Sequence, residues 1–202
     1  VAALTHYDTG RRAGFAALGV PNAGVTRGST GEGEFGTNAT DEYVSILNSG
    51  TLPSTVTLTL NYANGSAYRR TITAPAAKRT TVALSTLPGV VKGQAFSISY
   101  EANRAVGVGL SSYAFGEATG SSFVSEAATQ WLFGEGFRPA NNSTRIKDYL
   151  RIFNPASVDT RIAITINYNT GDSETFFQSV KARAANVFDL HNFHRGMHIT
   201  QR

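Results

Sequence analysis

Three histidines that lie close together in the sequence are the residues whose type and spacing first suggest chemistry. His191, His194 and His198 fall within eight residues of one another. Three imidazole nitrogens are a ligand set that Zn²⁺ or Ni²⁺ accepts. Their spacing matches no motif that brings three such side chains to one face. We therefore interpret these histidines as structural, and we predict neither a metal site nor a cofactor.

Two glutamates flanked by glycines are the next candidates. Glu32 and Glu135 each lie between two glycines. A carboxylate there can accept backbone N–H groups and stabilise a turn, or it can form half of an acid pair for glycoside hydrolysis. The other half would come from Asp41, Glu42 or Asp148, which lie beside predicted strand starts, where we expect exposure to solvent. We favour the turn role and predict no catalytic residues.

Other motifs of catalysis and ligand binding are missing from the sequence. No nucleophile-elbow motif accompanies a Ser/His/Asp set. The glycine-rich segment 28–36 lacks the Gly-Lys-Ser/Thr ending of a phosphate loop. There is no cysteine, which excludes disulfides and thiolate metal sites. The sequence predicts that the protein is not an enzyme.

Glycosylation is the one modification that the sequence suggests. The Asn-X-Ser/Thr tripeptide marks acceptor candidates at Asn38, Asn64, Asn141 and Asn142. Such tripeptides also arise by chance in a chain rich in serine and threonine, so we retain the four residues as candidates only.

The charge pattern limits the classes of partner. The formal net charge is +4 at pH 7, and the basic residues are scattered instead of forming a stripe with interleaved aromatics, so we predict no nucleic-acid binding. No run approaches the roughly 18 apolar residues that a membrane helix needs, so we predict no membrane span. A mildly basic surface would attract an acidic surface polysaccharide, which we retain as a further partner.

The chain contains a repeat of about 106 residues, whose strands must position the candidate residues described above. Shifting the chain by 106 places residues 43–48 on 149–154 and residues 56–62 on 162–168 without a gap. Seven positions between 43 and 65 are identical in the two copies. The apolar phase persists over the whole stretch, so the match indicates two copies of one unit.

Within each copy, apolar and polar residues alternate with a period of two, which predicts strands. In residues 56–62 apolar and polar side chains alternate, so that one face is buried and the other is exposed to solvent. Asn64-Gly65 and Thr170-Gly171 are typical of tight hairpins, and we expect another hairpin at Ala102-Asn103. About seven short strands per copy predict an all-β protein made of two tandem antiparallel immunoglobulin-like β-sandwich modules.

Several motifs carry a resemblance to a known group of proteins. Residues 131–137 (Trp-Leu-Phe-Gly-Glu-Gly-Phe), 149–155 (a strand ending in Asn-Pro) and 105–113 (a late strand ending in Tyr) follow its pattern. The chain resembles tandem immunoglobulin-like β-sandwich repeats of bacterial secreted and cell-surface proteins. The first copy departs from the pattern, because residues 31–33 lack the aromatic lead-in and Ser49 follows Asn48. The resemblance implies a non-catalytic extracellular building block.

The two copies are in a permuted frame, which means that a closing strand comes before the first copy and the second copy ends without one. Residues 1–8 match the closing strand of a module near residues 108–115, and the second copy ends before its last two strands. We therefore predict an orphan closing strand and linker at 1–23, a first module at 24–120 and a second module at 121–202 that lacks its closing strands.

An unpaired closing strand and an open sheet suggest exchange between copies. The strand-donor candidates are Val1, Ala3, Leu4, His6 and Tyr7. Repeated from copy to copy, such a contact makes fibres. The other interpretation is that neighbouring repeats of one long chain supply the strand, and the sequence leaves both open.

The function that these observations favour is structural. We expect a module of an extracellular filament or cell-surface protein, whose partners are copies of itself or neighbouring repeats. The alternative is a carbohydrate-binding module that uses exposed aromatics such as Tyr68, Trp131 or Phe176. Such rings more often belong to a core.

Overall fold

The computed structural model describes residues 2–20, 24–34, 39–114, 116–134, 136 and 148–190. Over these residues the structure is all-β with antiparallel strands, which confirms the all-β, antiparallel part of the predicted fold class. No helix in this part of the chain is long and apolar enough to cross a membrane. The elements are β1 (Ala3–Asp8), β2 (Ala13–Leu18), β3 (Val25–Thr30), β4 (Ala39–Asn48), β5 (Ser54–Tyr62), β6 (Ala67–Ala74), β7 (Lys78–Ala83), the 3₁₀ turn η1 (Leu84–Thr86), β8 (Phe96–Ala114), β9 (Glu117–Ser122), β10 (Tyr149–Phe153), β11 (Thr160–Asn167), β12 (Ser173–Val180) and β13 (Ala185–Asp189).

Strand β8 organises the first repeat. It is 19 residues long and lies in the middle of a sheet with the order β6-β5-β8-β4-β7. Its first half pairs with β3 and β5, and its second half pairs with β4 and β9. One continuous strand therefore joins the two halves of the sheet.

The predicted hairpin at Ala102-Asn103 is wrong, because β8 runs through these residues. A type I′ turn needs a positive φ at both central residues, and neither residue has one. Instead the Asn103 side chain holds the start of β5. Its Oδ1 accepts the backbone N–H of Thr55 at 2.8 Å and the Ser54 hydroxyl at 3.2 Å. These bonds connect β5 to β8 at the place where β8 changes partners.

The core of the first repeat lies between the two halves of this sheet. Alternation buries one face of β5 completely and most of the same face of β8, and the cluster also includes residues of β4. Burial of each large aliphatic side chain stabilises the fold by about 1.5–3 kcal/mol. The fully buried aliphatic residues are Val44, Ile46, Val56, Leu58, Leu60, Leu84, Ile98 and Val106. Both outer strands, β6 and β7, line one cleft, so the sheet curls until its edges face each other.

Strands β10–β13 reproduce strands β4–β7 at the offset of 106. Tyr43 pairs with Ala83, and Tyr149 pairs with Asp189. The two hairpins β5–β6 and β11–β12 share a register in the same way. Both hairpins turn through a glycine with positive φ, +84° at Gly65 and +91° at Gly171, which glycine adopts without steric cost.

A buried asparagine lies at the end of β4 and another directly after β10. Asn48 Nδ2 donates to the carbonyl oxygens of Leu52 and Ala74, both at 2.9 Å. Asn154 Nδ2 donates to those of Val158 at 2.9 Å and Val180 at 3.3 Å. The acceptors are equivalent residues of the repeat, which explains why asparagine occurs at both places.

The N-terminal segment is a hairpin, where the sequence predicted one orphan strand followed by a linker. β1 pairs with β2, from Ala3 opposite Leu18 to Asp8 opposite Ala13. The turn is stabilised because Asp8 Oδ1 accepts the backbone N–H of Arg11 at 2.9 Å, and Arg12 adopts a φ of +54°. The predicted closing strand therefore has a partner within the chain.

Replacing the buried asparagines tests their role. Asn48→Ala leaves the carbonyl of Ala74 without this donor, so we expect the free energy of unfolding to fall by about 1–3 kcal/mol. Asn154→Ala should cause a similar or smaller loss. Leu47→Ala, at an exposed neighbour, is the control and should change stability by about 0.5 kcal/mol or less. Urea denaturation measures all three, and an unchanged midpoint for Asn48→Ala would contradict the assignment.

Candidate assembly site

The residues considered as metal ligands or catalytic acids are dispersed along the chain. Four of them lie outside the described residues: His191, His194, His198 and Glu135. In the described part of the chain, the Glu32 carboxylate is bonded to β9 and not to backbone N–H groups of its own turn. This carboxylate accepts hydrogen bonds from the Thr119 hydroxyl at 2.6 Å and from the Ser121 hydroxyl, both on β9. In the described ranges no three His, Asp or Glu side chains gather as a metal site.

Glu42 is buried, although the sequence predicted that it would face solvent. It shares the inward face of β4 with Val44 and Ile46, and it is 2% exposed. Its Oε1 accepts the backbone N–H of Glu34 at 2.9 Å and the Ser112 hydroxyl at 3.2 Å, while Oε2 is buried without a hydrogen-bond partner. Burial raises the pKa of Glu42 to about 7. The prediction of solvent exposure is wrong because side chains alternate along β4, and position 42 falls on the inward face.

The other two predicted acids have separate environments. Asp41 is half-buried and forms an ion pair with Arg11 of the N-terminal hairpin. Asp148 precedes β10, where its backbone oxygen accepts the N–H of Leu190 at 3.0 Å.

Arg151 joins the two repeats. Its Nη2 lies 2.8 Å from the carboxylate of Glu34, and its Nη1 donates to the carbonyl oxygen of Gly33 at 3.4 Å. A Cβ at residue 31 would lie 2.8 Å from the Arg151 carbonyl oxygen, so Gly31 permits this close approach. Strand β10 therefore packs against the segment that follows β3.

The glycosylation and carbohydrate candidates have varied environments. Asn64 is exposed in a hairpin turn, where its Oδ1 accepts the backbone N–H of Ser66 at 2.9 Å. Asn38, Asn141 and Asn142 lie outside the described residues. Tyr68 and Phe176 are half-buried, and Tyr68 packs against the core. Trp131 is exposed.

The N-terminal hairpin lies against the end of β8 and against β9. The Phe15 ring occupies the space above Gly120, where a Cβ would overlap it. His6 Nε2 is 3.2 Å from the hydroxyl of Tyr113, and the Arg11 guanidinium lies 4.5 Å from the centre of the Tyr113 ring. Of the strand-donor candidates, Val1 is outside the described residues, whereas Ala3, Leu4, His6 and Tyr7 are exposed on β1.

This hairpin is the counterpart of the hairpin that closes the first repeat. At the offset of 106, β1 corresponds to residues 109–114 of β8, which pair with β9 just as β1 pairs with β2. The loops differ in length, with four residues between β1 and β2 and two between β8 and β9. Leu4 thus takes the position of Leu110, yet Leu4 is 68% exposed where Leu110 is 3% exposed.

The second repeat has open strand edges. In the first repeat β4 and β5 both pair with β8. Over residues 148–190, β10 pairs with β13 alone and β11 pairs with β12 alone. Ile162 and Ile166 are consequently half-buried, whereas the equivalent Val56 and Leu60 are fully buried.

The segment before the second repeat exposes apolar side chains. Residues 131–136 correspond to β3, which the first half of β8 holds in place in the first repeat. Trp131, Leu132 and Phe133 are 54%, 88% and 70% exposed and belong to no strand. Exposed contiguous apolar residues of this kind are typical of interaction surfaces. Together with the edges of β10 and β11, they form the candidate assembly site.

Comparisons with known proteins found similarity to solved structures. No protein-family model matches the chain, and no curated protein matches it. The crystal structure of Thermotoga maritima 1070 is 18% identical with a TM-score of 0.47, covering 52% of this chain and 97% of that one. The Anabaena sensory rhodopsin transducer is 22% identical with a TM-score of 0.40, covering 46% of this chain and 91% of that one. Likenesses at this level support no conclusion about function.

The buried carboxyl of Glu42 predicts a pH dependence of stability. The folded protein holds the Glu42 proton up to about pH 7, whereas the unfolded chain releases it near 4.5. Ionisation therefore opposes folding, and the stability present below pH 4.5 is lost as the pH rises through 7. Glu42→Gln keeps an oxygen acceptor without the charge, so above pH 7 it should raise the free energy of unfolding by about 1–3 kcal/mol.

The control for this measurement is Glu117→Gln, at an exposed glutamate of β9. Thermal unfolding at pH 4.5 and pH 8 compares both variants with the parent. The Glu42→Gln advantage should shrink or vanish at the lower pH. An advantage of the same size at both pH values would contradict the assignment of the buried acid.

Proposed function

We propose that the chain is a non-enzymatic structural repeat module of an extracellular filament or cell-surface protein, built from tandem immunoglobulin-like β-sandwich units. The observation that carries the proposal is the recurrence of the same two strand pairs, β4–β7 and β10–β13, at the offset of 106 with the same register. A packing unit that repeats along one chain provides length, because each unit needs contacts only with its neighbours.

The contact that Arg151 makes between the two repeats supports a structural role. Arg151 is half-buried and contacts both the Glu34 carboxylate and the Gly33 carbonyl. The position that Arg151 occupies in the second repeat is Ser45 in the first, where the side chain bonds to Thr81 within its own sheet. The arginine therefore adds a contact between repeats that the fold of one repeat does not require.

The arrangement of the described strands supports head-to-tail assembly. The N-terminal hairpin has the strand arrangement that closes a repeat, and over residues 148–190 strands β10 and β11 lack the pairing that β4 and β5 make with β8 in the first repeat. A contact between two different surfaces of identical copies adds units in one direction and forms filaments unless the ring closes. The partners are then copies of the chain or neighbouring repeats.

The remaining parts of the proposal rest on the sequence. The extracellular or cell-surface location follows from the resemblance to repeats of bacterial secreted proteins. The non-enzymatic role follows from the absence of any catalytic motif in the sequence. The raised pKa of Glu42 has a structural cause, because this carboxyl is enclosed in the core.

Electron microscopy and sedimentation of the purified chain test the proposal. We expect association that increases with concentration, and filaments whose axial repeat is one or two units. A glycan array run in parallel should give no signal that depends on Trp131, tested with Trp131→Ala. A chain that stays monomeric at every concentration and binds a glycan through Trp131 would contradict the structural role and favour a carbohydrate-binding module.

A further inference from the structure

We propose that the Glu42 carboxyl is a pH-sensitive switch for the contact between the two repeats. When protonated, it holds residues 31–34, which we call the joint segment, in the position that Arg151 of β10 binds. When ionised, it releases the joint segment and so loosens the second repeat from the first. This contact lies within one chain, so the switch can be tested separately from filament assembly and from the proposed function.

The joint segment lies between the buried acid and the arginine. On one side, the backbone N–H of Glu34 donates to Glu42 Oε1 at 2.9 Å. On the other side, the Glu34 carboxylate lies 2.8 Å from Arg151 Nη2, and the Gly33 carbonyl accepts from Arg151 Nη1 at 3.4 Å. Glu34 therefore connects the core of the first repeat to the second repeat through its own backbone and side chain.

The surroundings of Glu42 suit the protonated carboxyl better than the carboxylate. Oε1 has two donors, the Glu34 amide and the Ser112 hydroxyl. Oε2 is buried without a hydrogen-bond partner, on the inward face that Glu42 shares with Val44. Burial of an unpaired charge costs far more free energy than burial of a neutral polar group. Ionisation therefore favours any movement that brings water to Oε2.

The charged groups that act on Glu42 come from the joint segment and from β10. Burial is the largest cause that raises the pKa of Glu42 to about 7, and the negative charge of Glu32 acts in the same direction. The Glu34 amide, the Ser112 hydroxyl and the positive charge of Arg151 lower this pKa. The Arg151 guanidinium is already paired with the Glu34 carboxylate, so it compensates only part of the cost of a second negative charge.

Among the described residues, the other elements packed on β4 place their charges elsewhere. The part of β8 that pairs with β4, residues 107–114, has no charged residue, and η1 has none. Lys78 and Arg79 of β7 lie at the opposite end of β4, and β6 approaches β4 at that same end. Asp41 neighbours Glu42 on the chain but forms an ion pair with Arg11 of the N-terminal hairpin.

The joint segment is the part of these surroundings that moves at the least cost in free energy. β4 is held on both sides by ladders with β7 and β8. The joint segment follows β3 outside the named strands, and its backbone meets β8 near Phe96, whose N–H donates to the Gly33 carbonyl at 2.9 Å. Such segments open at a lower free energy than core strands. Opening would hydrate Glu42 and withdraw the partners of Arg151 in one movement.

The dependence on pH has a definite direction. In the closed position Glu42 keeps its proton up to about pH 7, whereas an exposed carboxyl releases it near 4.5. Because one proton leaves on opening, the open population rises with pH between these values, by at most about tenfold per pH unit, and levels off above pH 7. Between pH 5.5 and pH 8 we expect the open population to increase at least about tenfold.

Amide hydrogen exchange followed by NMR at pH 5.5 and pH 8 tests the switch. After correction for the intrinsic pH dependence of exchange, the Glu34 and Phe96 amides should be less protected than the Leu58 amide of β5. Their protection should fall at least about tenfold between the two pH values. Protection equal to that of Leu58 would mean that the joint segment opens only when the whole fold unfolds, and this would overturn the switch. Protection of the joint segment that does not change with pH would overturn it as well.

Matched variants test the assignment to Glu42. Glu42→Gln keeps an oxygen acceptor but cannot ionise, so the pH dependence of exchange at Glu34 and Phe96 should disappear. Glu117→Gln, at an exposed glutamate of β9, should behave like the parent. A pH dependence that persists in Glu42→Gln would overturn the role of this carboxyl. If Glu42→Gln does not fold, the comparison of the joint segment with Leu58 in the parent still decides.

A distance measurement tests whether the second repeat is released. The chain has no cysteine, so spin labels attached to Thr73→Cys and Ala163→Cys, both at exposed positions, report the distance between the repeats by pulsed electron double resonance. The distribution of distances should be narrow at pH 5.5 and broader at pH 8, and adding Arg151→Met should broaden it at pH 5.5 already. The same distribution at both pH values would overturn the release, whereas the presence or absence of filaments bears only on the proposed function.

Discussion

The hydrogen bonds of β8 are the constraint on which the rest of the first repeat depends. This strand pairs with β3, β4, β5 and β9, so its backbone groups satisfy the edges of four other strands. An unpaired backbone group in a buried sheet costs free energy comparable to a lost hydrogen bond. Where β8 is present, the core closes around Leu58 and Val44; in the described second repeat, the equivalent strands keep open edges.

The predictable part of the fold came from local periodicity and the repeat. Alternation in residues 56–62 and the glycine at position 65 were sufficient to predict β5, its hairpin and the same elements in the second copy. The continuity of β8 was not predictable in this way. Ala102-Asn103 looks like a turn in isolation, and the bonds that keep it extended come from Ser54 and Thr55, about fifty residues earlier.

The site was predictable in outline and not in detail. The sequence indicates that residues 3–7 belong to a closing strand, but it does not predict β2, because Ala13–Leu18 is rich in alanine and glycine, which are weak strand formers. Residue type also fails to predict the burial of Glu42. A charged residue is almost always exposed, yet the alternation of Val44 and Ile46 already specified the inward phase. Periodicity was the better guide than residue type.

The position of β8 in the chain has a consequence for how the protein is made. β4 and β5 are synthesised well before residues 96–114. During translation, the edges of β4 and β5 that pair with β8 are therefore unpaired until β8 has left the ribosome. Contacts that join distant parts of a chain form slowly, and exposed edges in the interval favour aggregation. The hairpins β5–β6 and β11–β12 close locally through Gly65 and Gly171, so they can form early and shield part of this surface. The order of synthesis therefore makes the nascent chain most vulnerable just before its longest strand appears.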